Sequence, residues 1–202
     1  MKIKYYENDL PNNLKFGNIV AIDTETMGLN PLRDKLCLVQ ISTGNNICHL
    51  VKILDLRKKP KNLINLLKNN KITKIFHFAR FDVAVLKYSF KISIKNIYCT
   101  KIASKLSRTY TDKHGYKDLC KELLNKSISK IEQSSDWGGK LSKEQKQYAA
   151  TDVLYLHKIK EKLDTMLKRE NRVNIANACF EFISHQTDLD LYGWQDVDIF
   201  KH

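Results

Sequence analysis

The chain has 202 residues, 43% hydrophobic and 28% charged, a length and composition suited to one globular domain with a sizeable core. Its 35 Lys and Arg against 22 Asp and Glu leave a net charge of +13, which favours a polyanionic partner such as nucleic acid, although part of a lysine-rich surface serves only solvation. No apolar run reaches the ~20 residues of a membrane span, and Met1–Glu7 has no apolar signal core. The five scattered cysteines (Cys37, Cys48, Cys99, Cys120 and Cys179) lack metal-ligand spacing, so a reduced cytoplasmic protein with no membrane partner is expected.

In chain order, residues 17–23, 36–42 and 46–51 read as strands by their apolar and β-branched content. Thr43-Gly44-Asn45-Asn46 forms a hairpin turn between the second and third. A helix over 61–70 follows Pro60, then a strand at 72–77 and a helix at 80–90. A short strand near 94–98 leads into a helix at 99–107, and another helix covers 116–124. Residues 107–115 and 125–141 read as loops. Ser142 and Gln145 form a capping box that opens a single long helix over 142–168. A C-terminal tail at about 170–202 follows, apolar enough at 189–194 to dock. There is no repeat or linker, so 1–202 is expected to be a single α/β domain with a mixed sheet flanked by helices.

The first strand carries the most chemical information. In Val20-Ala21-Ile22-Asp23-Thr24-Glu25-Thr26 two carboxylates stand two residues apart, so they share one face of the strand. Adjacent carboxylates repel, and a divalent cation relieves that repulsion. A plain strand running into an acidic turn is the competing account. Asp82 falls in the first turn of the 80–90 helix, where the macrodipole tolerates a negative charge. Tyr148 and Asp152, four apart, share a helical face. That face continues through Val153, Leu156, Ile159 and Leu163, so it points inward, and an inward Asp needs a partner such as a metal.

In this order, Asp23 and Glu25, Phe81-Asp82, and Tyr148-x-x-x-Asp152 resemble the three exonuclease motifs of the DEDD 3′→5′ exonucleases, in the DEDDy branch with ribonuclease D. Asp23–Pro31, Ile72–Phe78, Cys99–Leu106, Arg108–Asp112 and Ser134–Trp137 are similar to the nano-RNase C group of alphaproteobacteria. The resemblance runs from about residue 6 to 201. It implies a ribonuclease H-like sheet and a metal-dependent 3′–5′ exoribonuclease acting on short RNA oligonucleotides, including dinucleotides. It also implies a homo-octamer. Trimming of longer RNA, or hydrolysis of DNA, is the rival enzymatic reading. A non-catalytic nucleic-acid binder is disfavoured, because degenerate nucleases lose acidic ligands and all four are present.

For such a reaction Asp23, Glu25, Asp82 and Asp152 supply hard oxygen ligands for two Mg²⁺ or Mn²⁺ ions. Tyr148 is expected to orient the attacking water first and accept its proton second, since an ordinary phenol is a poor base. Met27, Gly28 and Leu29 are substrate-contact candidates: Gly28 permits close backbone approach and Leu29 could wedge beside a base, with a simple turn as the alternative. His77 either touches a sugar or 3′ end, or caps the helix at Arg80. Trp137 is expected to anchor the 125–141 loop more than to stack on a base. Lys101, Lys105, Arg108 and Lys113, interleaved with Tyr110 and Tyr116, suit phosphate contacts or form a solvated helix face. Only about 34 residues follow the last motif helix, so accessory RNA-binding domains are not expected.

Overall fold

The computed structural model describes residues 1–128 and 135–202. Six strands form one sheet: β1 (Lys2–Glu7), β2 (Ile19–Thr26), β3 (Leu36–Ser42), β4 (Ile47–Lys52), β5 (Thr73–Phe76) and β6 (Ile97–Cys99). The spatial order is β1-β4-β3-β2-β5-β6. β2, β3 and β4 pair antiparallel as the expected meander, while β1 joins β4, and β5 joins β2 and β6, in parallel. β3 is buried along its whole length, as its unbroken apolar run requires of a central strand. This is the expected ribonuclease H-like mixed sheet.

Helices α1 (Lys61–Lys68), α2 (Ala79–Phe90), α3 (Thr100–Ser107), α4 (Tyr116–Leu124), α5 (Lys143–Leu154), α6 (Leu156–Arg169) and α7 (Val173–Leu189) surround the sheet. α5 crosses β2, β3 and β4, α2 reaches β2, β3, β5 and β6, and α7 lies along α2. The stripe Val153, Leu156, Ile159 and Leu163 is fully buried, as its helical period demands. Among the described residues no helix is long and apolar enough to cross a membrane.

Three regions differ from the sequence-based expectation. β1 was not foreseen, because Lys2-Ile3-Lys4-Tyr5-Tyr6-Glu7 mixes charge with apolar residues. It is an edge strand, and edges carry lysine. The tail contains α7, whose Ala176, Phe180 and Ile183 are buried; interleaved Asn174, Asn177 and His185 obscure its apolar stripe. The 189–194 segment is fastened by a charge pair: Asp190 accepts two hydrogen bonds of 2.7 Å from Arg80, while Tyr192 and Trp194 stay exposed.

The expected single helix over 142–168 is two helices. Its capping box is present: Ser142 Oγ accepts from the Gln145 N–H, and Gln145 Oε1 from the Ser142 N–H. The break falls at Tyr155. The Tyr155 N–H donates to the Tyr116 hydroxyl at 3.3 Å, and that hydroxyl donates to the Thr151 carbonyl oxygen at 2.7 Å. A side chain inserted in the i→i−4 ladder kinks a helix.

Candidate metal centre

Alternation along β2 sends Asp23 and Glu25 toward α5 and Thr24 toward α2. Asp23 stands opposite Gln40 of β3, and the register shifts by a bulge between Glu25 and Thr26 before Thr26 pairs with Leu36. On α5, Asp152 lies one turn beyond Tyr148. Ligand oxygens of Asp23, Glu25 and Asp152 lie within 4.8 Å of one another. Asp82, from the first turn of α2, is buried and accepts a 2.7 Å hydrogen bond from the Thr24 hydroxyl. Its charge is felt at Glu25, and that of Asp23 at Asp82. Three of the four sequence-predicted ligands thus meet directly, and the fourth borders them.

Burial pushes the Asp23 carboxyl well above its ordinary range. Glu25 is raised by burial and then by the charges of Asp23, Asp152 and Asp82. Asp82 is raised by burial and by Asp23. Carboxyls raised in this way favour a bound divalent cation, which would supply balancing positive charge. The donors are all hard oxygens, which fits Mg²⁺ or Mn²⁺. Asp23, Glu25 and Asp152, with Asp82 beside them, are the residues that would hold such ions.

Gln40 was missed from sequence. It is fully buried, and its Nε2 donates to Asp23 at 3.2 Å and Glu25 at 3.3 Å, tying the two carboxylates together. A lone amide inside the apolar run Leu36–Ile41 was the available signal, since a buried amide needs partners. Thr24, buried between its two acidic neighbours, likewise orients Asp82.

The cluster opens into a groove of about 790 Å³ lined by Met27, Gly28, Leu29, His77, Phe78, Lys101, Trp137 and Tyr148, among others. Tyr148 is raised above its ordinary value by burial and by the charges of Asp152, Glu25 and Asp23, and it hydrogen-bonds Asp152. Its phenol is therefore protonated, which suits the orienting role. Met27 and Leu29 are exposed. Gly28 sits tightly in its own turn: a Cβ there would come within 2.3 Å of the Asp34 carboxylate, which would have to shift, and its carbonyl accepts from the Thr26 hydroxyl.

His77 does not cap α2, which has no side-chain cap. Its Nδ1 meets the Thr100 hydroxyl at 2.9 Å, and that hydroxyl donates to the Phe76 carbonyl at 3.1 Å. Because that hydroxyl donates to Phe76, it accepts from the Nδ1–H of His77. Phe78 holds a left-handed backbone, φ 64°, with the Lys101 ammonium 4.2 Å from its ring centre.

Trp137 is buried, its ring 6.1 Å from that of Tyr148, and its carbonyl accepts from the buried Lys52 ammonium. It anchors residues 135–141; residues 129–134 of the expected 125–141 loop, Ser134 among them, lie outside the described residues. The basic stretch divides. Lys101 lines the groove, but Arg108 is wholly buried and bound to Ser104, the Lys113 carbonyl and Glu122. Arg108 is thus a structural latch and not a phosphate contact.

A family described as 3'-5' exonuclease matches residues 4–168. Brucella melitensis NrnC with bound Mg²⁺ superposes with a TM-score of 0.94 at 52% identity, over the whole of both chains. NrnC of the same organism bound to pGG gives 0.95 at 53% identity, over 100% of this chain and 99% of that one. Ribonuclease D of Acidiphilium cryptum is 30% identical over 159 residues, 77% of this chain and 39% of that protein. The chain spans about two fifths of the length of the curated ribonuclease D relatives it matches. The order of acidic residues along the chain and the likeness over its full length agree: it belongs to the ribonuclease D-like 3′–5′ exonucleases, in the DEDDy branch, together with Brucella NrnC.

Proposed function

We propose that this protein is a metal-dependent 3′–5′ exoribonuclease that hydrolyses short oligoribonucleotides, dinucleotides included, to nucleoside 5′-monophosphates. The observation that carries the reading is the convergence of Asp23, Glu25 and Asp152 oxygens within 4.8 Å, beside Tyr148 and at the floor of a groove. Two bound Mg²⁺ or Mn²⁺ ions would activate water and steady charge on the phosphoryl and leaving oxygens. Around them the chain's own residues align the reaction. Gln40 and Thr24 fix the carboxylates, and Tyr148, protonated, orients the attacking water by hydrogen bonding. Met27, Leu29 and His77 line the place where a terminal nucleotide lies, and Lys101 adds positive charge for a phosphate.

A closed homo-oligomer, an octamer by family resemblance, accompanies this reading. Exposed Tyr192, Trp194, Ile199 and Phe200 supply apolar surface for it. Free, mostly buried thiols suit a reducing cytoplasm.

The deciding experiment is a time course on 5′-labelled RNAs of two to twenty nucleotides with Mg²⁺, with EDTA and with matched DNA. Mononucleotides should form from dinucleotides, and EDTA should stop the reaction. Accumulating dinucleotides would favour trimming of longer RNA, and equal rates on DNA would remove the ribonucleotide preference. Light scattering that returned a monomer mass from a fully active sample would overturn the assembly.

A further inference from the structure

Tyr116 is far from the acidic residues in sequence and carries no motif of its own, yet it touches the structure at an unusual point. Its hydroxyl sits inside the backbone ladder between α5 and α6, donating to the Thr151 carbonyl and accepting from the Tyr155 N–H. In an unbroken helix that N–H would bond that carbonyl directly. Thr151 immediately precedes Asp152. The direction in which Asp152 leaves the last turn of α5 therefore depends on a phenol from α4.

The same ring lies 5.8 Å from the ring of His77 and lines the groove. His77 is in turn tied through Thr100 to the end of β5. Tyr116 thus joins the strand end that carries His77 to the helix turn that carries Asp152. Without the wedge, α5 and α6 could run on as one helix. Both helices are held in the core, α5 by Ala149, Ala150 and Val153 and α6 by Leu156, Ile159 and Leu163, so straightening would strain the turn between them, which carries Asp152.

We propose that Tyr116 is a positioning residue: its hydroxyl opens the α5–α6 helix and so sets Asp152 against Asp23 and Glu25 for metal binding. This rests on the metal-dependent reading above. It makes the helix break a part of the site, and the groove-facing ring incidental to it.

The test is Tyr116→Phe, which keeps the ring and removes only the bridging oxygen. Mn²⁺ binding is measured by calorimetry on the 202-residue protein without nucleotide, alongside kcat and KM for the dinucleotide pGG at saturating Mg²⁺. The expected result is Mn²⁺ binding weakened about tenfold and kcat lowered about tenfold, with KM within about twofold. Unchanged Mn²⁺ affinity and unchanged kcat would overturn the proposal, even if the melting temperature fell. A raised KM with metal binding intact would also overturn it, because Tyr116 would then be contacting substrate. Failure of the unaltered protein to cleave pGG would count against the proposed function, while the calorimetric comparison would still judge Tyr116.

Discussion

Two charge clusters in this protein, one around the buried Arg108 and one at the floor of the groove, follow opposite rules. Arg108 is fully enclosed, but every direction around its guanidinium offers an acceptor: Ser104, the Lys113 carbonyl, Glu122 and the Tyr110 hydroxyl. The acidic cluster gathers Asp23, Glu25, Asp82 and Asp152, where Gln40 donates to Asp23 and Glu25, Thr24 donates to Asp82, and Tyr148 hydrogen-bonds Asp152. A satisfied buried charge holds structure, whereas a set of like charges kept together is strained until something binds. The difference separates the latch from the site better than charge or burial alone.

Removing an acidic ligand should give the largest effect. Asp82→Ala or Asp152→Ala should lower dinucleotide hydrolysis by at least about 10⁴-fold, as for a member of a catalytic unit, and leave the circular dichroism spectrum unchanged. In metal-free buffer these variants should melt no lower than the parent, because one of a set of crowded like charges has gone. Activity that survived either change, or survived EDTA, would place the site elsewhere.

Tyr148→Phe should come next, with kcat down by about 10²–10⁴, the range of a positioned proton-handling group. KM should hold, since the phosphate is gripped by other groups. Single-turnover rates equal to those of the parent would reduce Tyr148 to a packing partner of Trp137.

The satisfied cluster should answer in stability alone. Glu122→Ala leaves Arg108 buried without its carboxylate. It should cost about 1–3 kcal/mol, the cost of a lost charged hydrogen bond, discounted because the Glu122 side chain is 40% exposed. Urea unfolding would measure it. A matching loss of kcat would show that the two regions are coupled.

The smallest effect distinguishes the clusters by pH. Burial raises the Asp23 carboxyl from an ordinary 3.8 to about 7, so the metal-free native state binds more protons than the unfolded chain. Stability from this group is complete below the ordinary carboxylate range and is lost as pH rises through about 7. The melting temperature in EDTA should therefore fall between pH 5 and 8, by about 3 °C per kcal/mol, and Mg²⁺ should reverse the fall. A flat or rising profile in EDTA would mean that the acidic cluster is compensated after all.

What could be read from the sequence was what local periodicity encodes. Period two placed Asp23 and Glu25 on one face, and period 3.6 placed Tyr148, Asp152 and the buried stripe together. The Ser142–Gln145 box marked where α5 begins. Contacts between distant segments left no such trace. The helix break depends on Tyr116, 39 residues before Tyr155, and nothing local distinguishes 142–168 from one continuous helix. Arg108 sits among lysines and tyrosines that resemble a phosphate-binding stretch, and only the fold shows that it turns inward. Gly28 illustrates a middle case: its small size suggested close approach to a ligand or a simple turn, and the fold shows the neighbour crowding it to be Asp34.

The parallel edge strand has a consequence for the order in which the molecule assembles and opens. β1 meets β4 in register from Lys2 with Ile47 to Glu7 with Lys52, so its pairing closes a loop of about 45 residues, whereas β3 and β4 are joined by a short turn. Loop closure favours the hairpin first, and β1 has hydrogen-bonded neighbours on one side only. In native-state hydrogen exchange the amides of β1 should open by local fraying, far below the global unfolding free energy, while those of β3 exchange only when the whole sheet comes apart. Equal protection of the two strands would mean that the edge and the centre form one cooperative unit.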